Sequence, residues 1–156
     1  MVTTIQPDEA AVLPQKLQEL ADRLEISELI ATYGQIADQK RFEDSRSCCT
    51  EDVLADFGFG RAHGVDTLIG YGRQALGVFE RTQHFISNVL IDLAGDSATV
   101  TANVLAVHIP QADDPKTHFD LGGLYQFSTV RTTAGWRISR VRFDAVWSQG
   151  DDPRLH

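Results

Sequence analysis

From Lys16 onward, apolar residues recur at the three-and-four spacing of a helix. Leu17, Leu20 and Leu24 mark one stripe, and Ile26, Leu29, Ile30, Tyr33, Ile36 and Ala37 continue the period. This predicts a long amphipathic helix, or two in tandem, ending near Asp38. Phe42 to Cys49 fits a short helix, and Val53 to Phe57 a short strand that stops at the Gly58-Phe-Gly60 break. Leu68, Ile69, Ala75, Leu76 and Phe79 support a further helix over 65–80, weakened by Gly70, Gly72 and Gly77 at up to about 1 kcal/mol each.

The second half changes period. Segments 85–93, 98–109, 121–131 and 136–147 are rich in β-branched and aromatic residues, and turn chemistry joins them at Ala94-Gly-Asp96 and Thr132-Thr-Ala-Gly135. The longer link, Pro110 to Pro115, is acidic and proline-bounded and reads as a surface loop. Helices first and a four-strand antiparallel meander after make an α+β plan, with helices on one face of a curved sheet. Residues 1–14, with Pro7 and Pro14, read as a flexible N-terminal arm, 15–150 as one domain, and 151–156 as a tail.

Composition narrows the function classes. A 156-residue chain that is 42% hydrophobic and 23% charged has enough apolar residues for its own core, which sets it apart from disordered chains. With 14 Lys plus Arg against 22 Asp plus Glu, the net charge of −8 argues against nucleic acid and anionic membrane as partners. No apolar run reaches the roughly 18 residues of a membrane helix, and the start lacks a basic region and apolar signal core, so the expected compartment is the cytoplasm. Cys48 and Cys49 are neighbours, with α-carbons about 3.8 Å apart, below the disulfide range of about 4.4–6.8 Å, so reduced thiols are expected. Neither a CxxC spacing nor another metal-ligand pattern occurs, and no metal is expected.

Of five histidines, His63 beside a glycine break, His118 near the acidic loop and His156 at the end read as solvated. His108 is different. In the strand from Ala98, the even positions Ala98, Val100, Ala102, Val104, Ala106 and His108 share one small, apolar face, which points inward. A hairpin centred near Gly95 sets His84 opposite residues 106 to 108, so both imidazoles fall on one face if the register holds. Ala102 and Ala106 leave volume beside them, which suggests an apolar pocket with a few polar groups. The competing reading is two core histidines bonded to backbone or to a buried carboxylate. Asp38 follows Ala37 at the border of the helix's apolar face; inside the cavity it would fix a histidine's tautomer and raise its basicity.

Thr82-Gln-His-Phe-Ile86, the Ala37-Asp38 helix end before it, and Gly122-Gly-Leu-Tyr125 followed by Arg131 and Trp136 carry a resemblance. Over about residues 22 to 150 the chain resembles the SnoaL-like group of the nuclear transport factor 2-like superfamily, and within it scytalone dehydratases and hexachlorocyclohexane dehydrochlorinases. The resemblance implies a cone-shaped α+β barrel: N-terminal helices packed on a strongly bent, mainly antiparallel sheet around a deep apolar pocket. It makes Asp38 and His84 a catalytic carboxylate–histidine dyad. His108 becomes a substrate-binding residue that holds the substrate or protonates its leaving hydroxyl. Tyr125 falls where the dehydratases have an asparagine touching substrate, and Phe57 joins it in the pocket wall. Two tyrosines that position a water on the dehydratase substrate's carbonyl correspond to Ala37 and Phe57, which argues against scytalone itself as substrate.

The expected function is therefore a cofactor-independent lyase that eliminates water, or a comparable group, from a small hydrophobic ring compound of polyketide, terpenoid or steroid-like type. Alternatives are a cyclase or isomerase using the same pocket, or a non-catalytic ligand-binding or assembly subunit. The resemblance also implies a homo-oligomer, with a trimer favoured over a dimer.

Overall fold

The computed structural model describes residues 7–155. Its first helix, α1 (Pro7–Asp38), starts well before Lys16. Pro7 lacks the N–H that a first-turn residue leaves unpaired, and alanines at 10 and 11 favour helix, so residues 7–14 of the expected arm are helical. Residues 1–6 lie outside the described residues. The helix also outruns the sheet: Leu17, Leu20 and Leu24 are 57–63% exposed. Packing on the sheet begins at Asp22, and Ile26, Leu29, Ile30 and Ile36 form the buried face. The expected continuous stripe is thus two stripes, of which the second enters the core.

A 3₁₀ turn (Phe42–Asp44), a short α2 (Ser45–Cys48), strands β1 (Cys49–Asp56) and β2 (Arg61–His63), and α3 (Val65–Leu76) follow. Four long strands complete the fold: β3 (Arg81–Ala94), β4 (Ser97–Ile109), β5 (Phe119–Thr132) and β6 (Gly135–Gln149). The sheet order is β2-β1-β6-β5-β4-β3. All pairs are antiparallel except β1 with β6, so the expected meander is extended at one edge by two further strands. The sheet is curled but unclosed, and with the helices it makes an α+β cone.

Along β4 the expected alternation is seen throughout, with Ala98, Val100, Ala102, Val104, Ala106 and His108 all buried. Phe127, Ile138 and Val141, fully buried, continue that layer across β5 and β6. An ion pair with a buried carboxylate and a partly exposed guanidinium ties α1 to the far end of the sheet. Asp22 accepts two 2.7 Å bonds from the Arg131 guanidinium and one of 3.2 Å from Trp136 Nε1, and Arg131 stacks 4.7 Å above the Trp136 ring. Among the described residues, no helix is long and apolar enough to cross a membrane.

Candidate active site

Strand β3 brings His84 to the inner face by an irregularity rather than by simple alternation. From the hairpin end, odd positions of β3 face inward: Ile91 stands opposite Val100 and Leu93 opposite Ala98. Continued without a break, that alternation would turn His84 outward. Instead Leu90 faces Thr101 while Ser87 faces Asn103, three steps on β3 against two on β4. The extra residue is a bulge at Asn88, whose φ of 53° is left-handed, a conformation that asparagine tolerates. Beyond the bulge the even positions Ile86, His84 and Thr82 face inward, with His84 opposite Ala106 and Thr82 opposite His108.

Helix α1 approaches this part of β3 closely because residue 34 is glycine. A Cβ there would lie 3.1 Å from Ile86 Cδ1 and 3.9 Å from His84 Cβ. One turn on, the same helix face places Asp38 against His84. Asp38 Oδ1 lies 2.6 Å from His84 Nδ1 and Oδ2 accepts the His84 backbone N–H at 2.9 Å, while the Thr82 hydroxyl donates to Oδ1 at 3.0 Å. Burial by itself would raise the Asp38 carboxyl. The bonds from the His84 ring, the His84 backbone and Thr82 together outweigh it, and Asp38 titrates below the usual carboxylate range. An ionised carboxylate can only accept, so Nδ1 of His84 is the donor, and in the neutral ring this leaves Nε2 as a lone pair.

His108 takes the same tautomer by another route. Its Nδ1 donates to the Phe119 carbonyl at 3.0 Å, so its Nε2 is also an acceptor. Burial at 3% exposure pushes its pKa down to about 4, against the raising effect of that bond, so the ring is neutral at pH 7. The two imidazoles stand edge to face, centroids 5.7 Å apart. His108 is held between Phe79 and Phe119 at 4.8 and 5.6 Å.

Both histidines line an apolar cavity of about 100 Å³. Ala37, Phe57 and Tyr125 line it too, so every candidate from the sequence reaches it, Asp38 through its bond to His84. Phe57 stacks flat on Tyr71 at 4.8 Å, and Tyr33 meets Tyr125 edge to face at 6.3 Å. Tyr71 and Arg154, both lining the cavity, were not legible in the sequence; Tyr71 lies in the glycine-rich helix and Arg154 in the expected tail. Of the other histidines, His63 is exposed and His156 lies outside the described residues. His118, expected to be solvated, is instead half-buried and bonds Asp120 at 2.7 Å across one intervening residue.

Burial raises both thiols, Cys49 to about 12, consistent with inert core cysteines. Among the described residues, no group of three or more His, Cys, Asp or Glu side chains converges as a metal site.

Comparison with known proteins gives three kinds of match. The SnoaL-like domain matches residues 18–142. An uncharacterized protein of Mycobacterium tuberculosis is 32% identical over 124 residues, which span 78% of this chain and 84% of that protein. Among solved structures, a Kribbella flavida protein superposes with a TM-score of 0.77 at 31% identity, covering 84% of this chain and 95% of its own. A scytalone dehydratase candidate from Novosphingobium aromaticivorans also superposes at 0.77, with 22% identity over 86% of this chain and 90% of its own. A hexachlorocyclohexane dehydrochlorinase from Novosphingobium barchaimii superposes at 0.76, with 15% identity over 88% and 95%. At these identities the last two show a common fold.

Proposed function

Because the chain belongs to the SnoaL-like domain family, in the nuclear transport factor 2-like fold, we propose that it is a cofactor-independent lyase. It would remove water from a small hydrophobic ring compound. The observation that carries the reading is an ionised Asp38 bound to His84 Nδ1 with the imidazole on an apolar cavity. The fold shared with a dehydratase candidate and a dehydrochlorinase supports it.

His84 Nε2 takes a proton from the carbon next to the one bearing the hydroxyl. The C–H electron pair becomes the new C=C bond, and the C–O pair leaves with oxygen. Asp38 stabilises the imidazolium that forms. The departing hydroxyl needs a proton, and His108 is not its source. That ring is neutral and its single N–H is committed to the Phe119 carbonyl. The role left to His108 is to accept the substrate hydroxyl's hydrogen bond and orient it, in place of the protonating role that the resemblance also allowed. The His84 imidazolium then gives its proton to the leaving oxygen, which restores the base and releases water.

The test is a panel of bicyclic β-hydroxyketones with products followed by mass. Loss of water by the wild type and its absence in His84→Gln is the expected result. Equal conversion by the two proteins, or a product of unchanged mass, overturns the assignment.

A further inference from the structure

The segment expected to be a C-terminal tail folds back to the cavity. After β6, a 3₁₀ turn (Pro153–Leu155) presents Arg154, which Asp152 fixes at three points. Arg154 Nε and Nη2 donate to the two Asp152 oxygens at 2.8 and 2.7 Å, and the Arg154 backbone N–H donates to Oδ1 at 3.0 Å. The two side chains are 20% and 13% exposed. The guanidinium carbon stands 5.4–5.5 Å from the ring centroids of Phe59, Phe79 and Phe119. Two of those rings flank His108, so Arg154 and the second histidine share one aromatic frame.

Arg154 lines the same cavity as His84 and His108, and it is the permanently charged side chain among the lining residues. A guanidinium has five N–H donors, and Asp152 takes two. Among the described residues, the second Nη2–H and both Nη1 hydrogens have no hydrogen-bond acceptor. A donor on the wall of an apolar cavity, as Arg154 is, loses free energy to the extent that it is drawn out of water without an acceptor, and a bound molecule that accepts from it recovers that loss.

We infer that Arg154 holds the substrate's carbonyl oxygen, so that the substrates are ring ketones whose α-carbon lies at His84. This rests on the proton-abstraction reading above. When His84 Nε2 removes the α-proton, the C–H pair forms the C=C bond of an enolate and the carbonyl π pair moves onto oxygen. As the carbonyl re-forms, that C=C pair shifts to the bond toward the hydroxyl-bearing carbon and the C–O pair leaves with oxygen, which completes the net loss of water in two steps. The free end of the guanidinium, one N–H from each terminal nitrogen, meets the carbonyl oxygen as its charge grows. A charged donor fixed in place beforehand stabilises the enolate more than the ketone, which is the condition for lowering the barrier. Asp152 already balances the guanidinium's charge, which favours a neutral carbonyl that becomes anionic during reaction over a permanent carboxylate. The position also answers the absence of tyrosine at 37 and 57: a carbonyl-polarising group enters from the C-terminal turn.

The experiment uses the full chain, with 1-indanone and its hydrocarbon analogue indane as probes. Binding of each is measured by calorimetry, and exchange of the indanone α-protons with D₂O is followed by NMR. The wild type is expected to bind indanone about tenfold more tightly than indane, the worth of roughly one charge-assisted hydrogen bond. Arg154→Gln is expected to lose that preference, to keep its affinity for indane, and to slow exchange about 100-fold; Arg154→Lys is expected to restore part of both. Retained indane affinity shows that the cavity has survived the change.

A wild type that does not prefer indanone, or an Arg154→Gln variant that prefers it as strongly as the wild type, overturns the inference. His84→Gln separates the two readings. It should keep the indanone preference and lose exchange; exchange that persists in it overturns the role of His84 as base, with the preference still reporting on Arg154.

Discussion

Asp38 holds His84 at two points, the ring through Nδ1 at 2.6 Å and the backbone N–H of the same residue at 2.9 Å, one carboxylate oxygen to each. The double grip fixes both where β3 lies and which way its imidazole faces. A carboxylate bonded to the ring alone could follow a rotating side chain. Bonded to the main chain as well, it keeps Nδ1–H toward α1 and Nε2 toward the cavity.

Replacing Asp38 with Asn keeps the shape and removes the charge. The amide cannot accept at both points with two oxygens, so either the His84 ring or its backbone N–H loses its acceptor. A stability loss of about 1–3 kcal/mol is expected from that orphaned group. Turnover should fall further, by about 10²–10⁴, because the imidazolium loses its counter-charge and the tautomer is no longer fixed. Thermal melts and the rate of water loss, measured on the same preparation, separate the two effects.

Gly34 sets the distance between α1 and β3, and Gly34→Val tests whether that distance matters for chemistry. Even a single Cβ would sit 3.1 Å from Ile86 Cδ1, and the branched methyls of valine would push the helix away from the strand. Asp38, one turn on, would move with it. A displacement on the order of 1 Å can cost about 100-fold in rate. The expected outcome is such a drop with the helical circular dichroism signal retained. Wild-type turnover in a folded Gly34→Val protein would show that the dyad does not depend on this close approach.

Much of the fold was legible because its signals are local. Period two in β4, the turn at Gly95 and the apolar stripe from Ile26 to Ile36 each report on a few neighbouring residues, and the structure has all three. The inward face of His84 was reached by a register that allowed residues 106 to 108 as partners; the observed partner is Ala106. What made that register correct, the bulge at Asn88, leaves almost no trace in sequence, since one asparagine inside an apolar strand is unremarkable. Asp22 and Arg154 were missed for a different reason. Each owes its role to partners more than 35 positions away or to a chain end folding back, as with Asp22 and Arg131 at a separation of 109, and no periodicity reports such pairings.

Asp22 makes stability depend on acid. The hydrogen bond from Arg131 is the largest cause of its lowered pKa, which falls to about 2 from the ordinary 3.8. A group whose folded pKa is depressed stabilises the fold above its unfolded pKa and loses that contribution as pH falls through the folded one. On the order of 2 kcal/mol is therefore present at neutral pH and lost between about pH 4 and 2. Asp22→Asn should be less stable than the wild type by about that amount at pH 7, and the gap should close as pH approaches 2. Denaturant titrations at several pH values check it; a gap that stays constant down to pH 2 would refute the assignment.

Asn88 decides which face His84 occupies, and two substitutions separate its backbone role from its side chain. Its left-handed φ of 53° is open to glycine without strain and costs a β-branched residue on the order of 1–3 kcal/mol. Asn88→Gly is expected to keep both melting temperature and turnover. Asn88→Val is expected to melt lower by about 2–4 °C for each kcal/mol lost at this chain size. The strand can relieve valine's strain by giving up the bulge, but with the residue count unchanged the segment before it must then slip by one position against β4. His84 would pair with Val107 and face outward, away from Asp38 and the cavity. The prediction is therefore that Asn88→Val loses more activity than its stability explains, and that an NMR contact between the His84 and His108 rings weakens with it. A valine variant that melts lower but turns over normally and keeps that contact would show that the register is fixed elsewhere along the β3–β4 ladder.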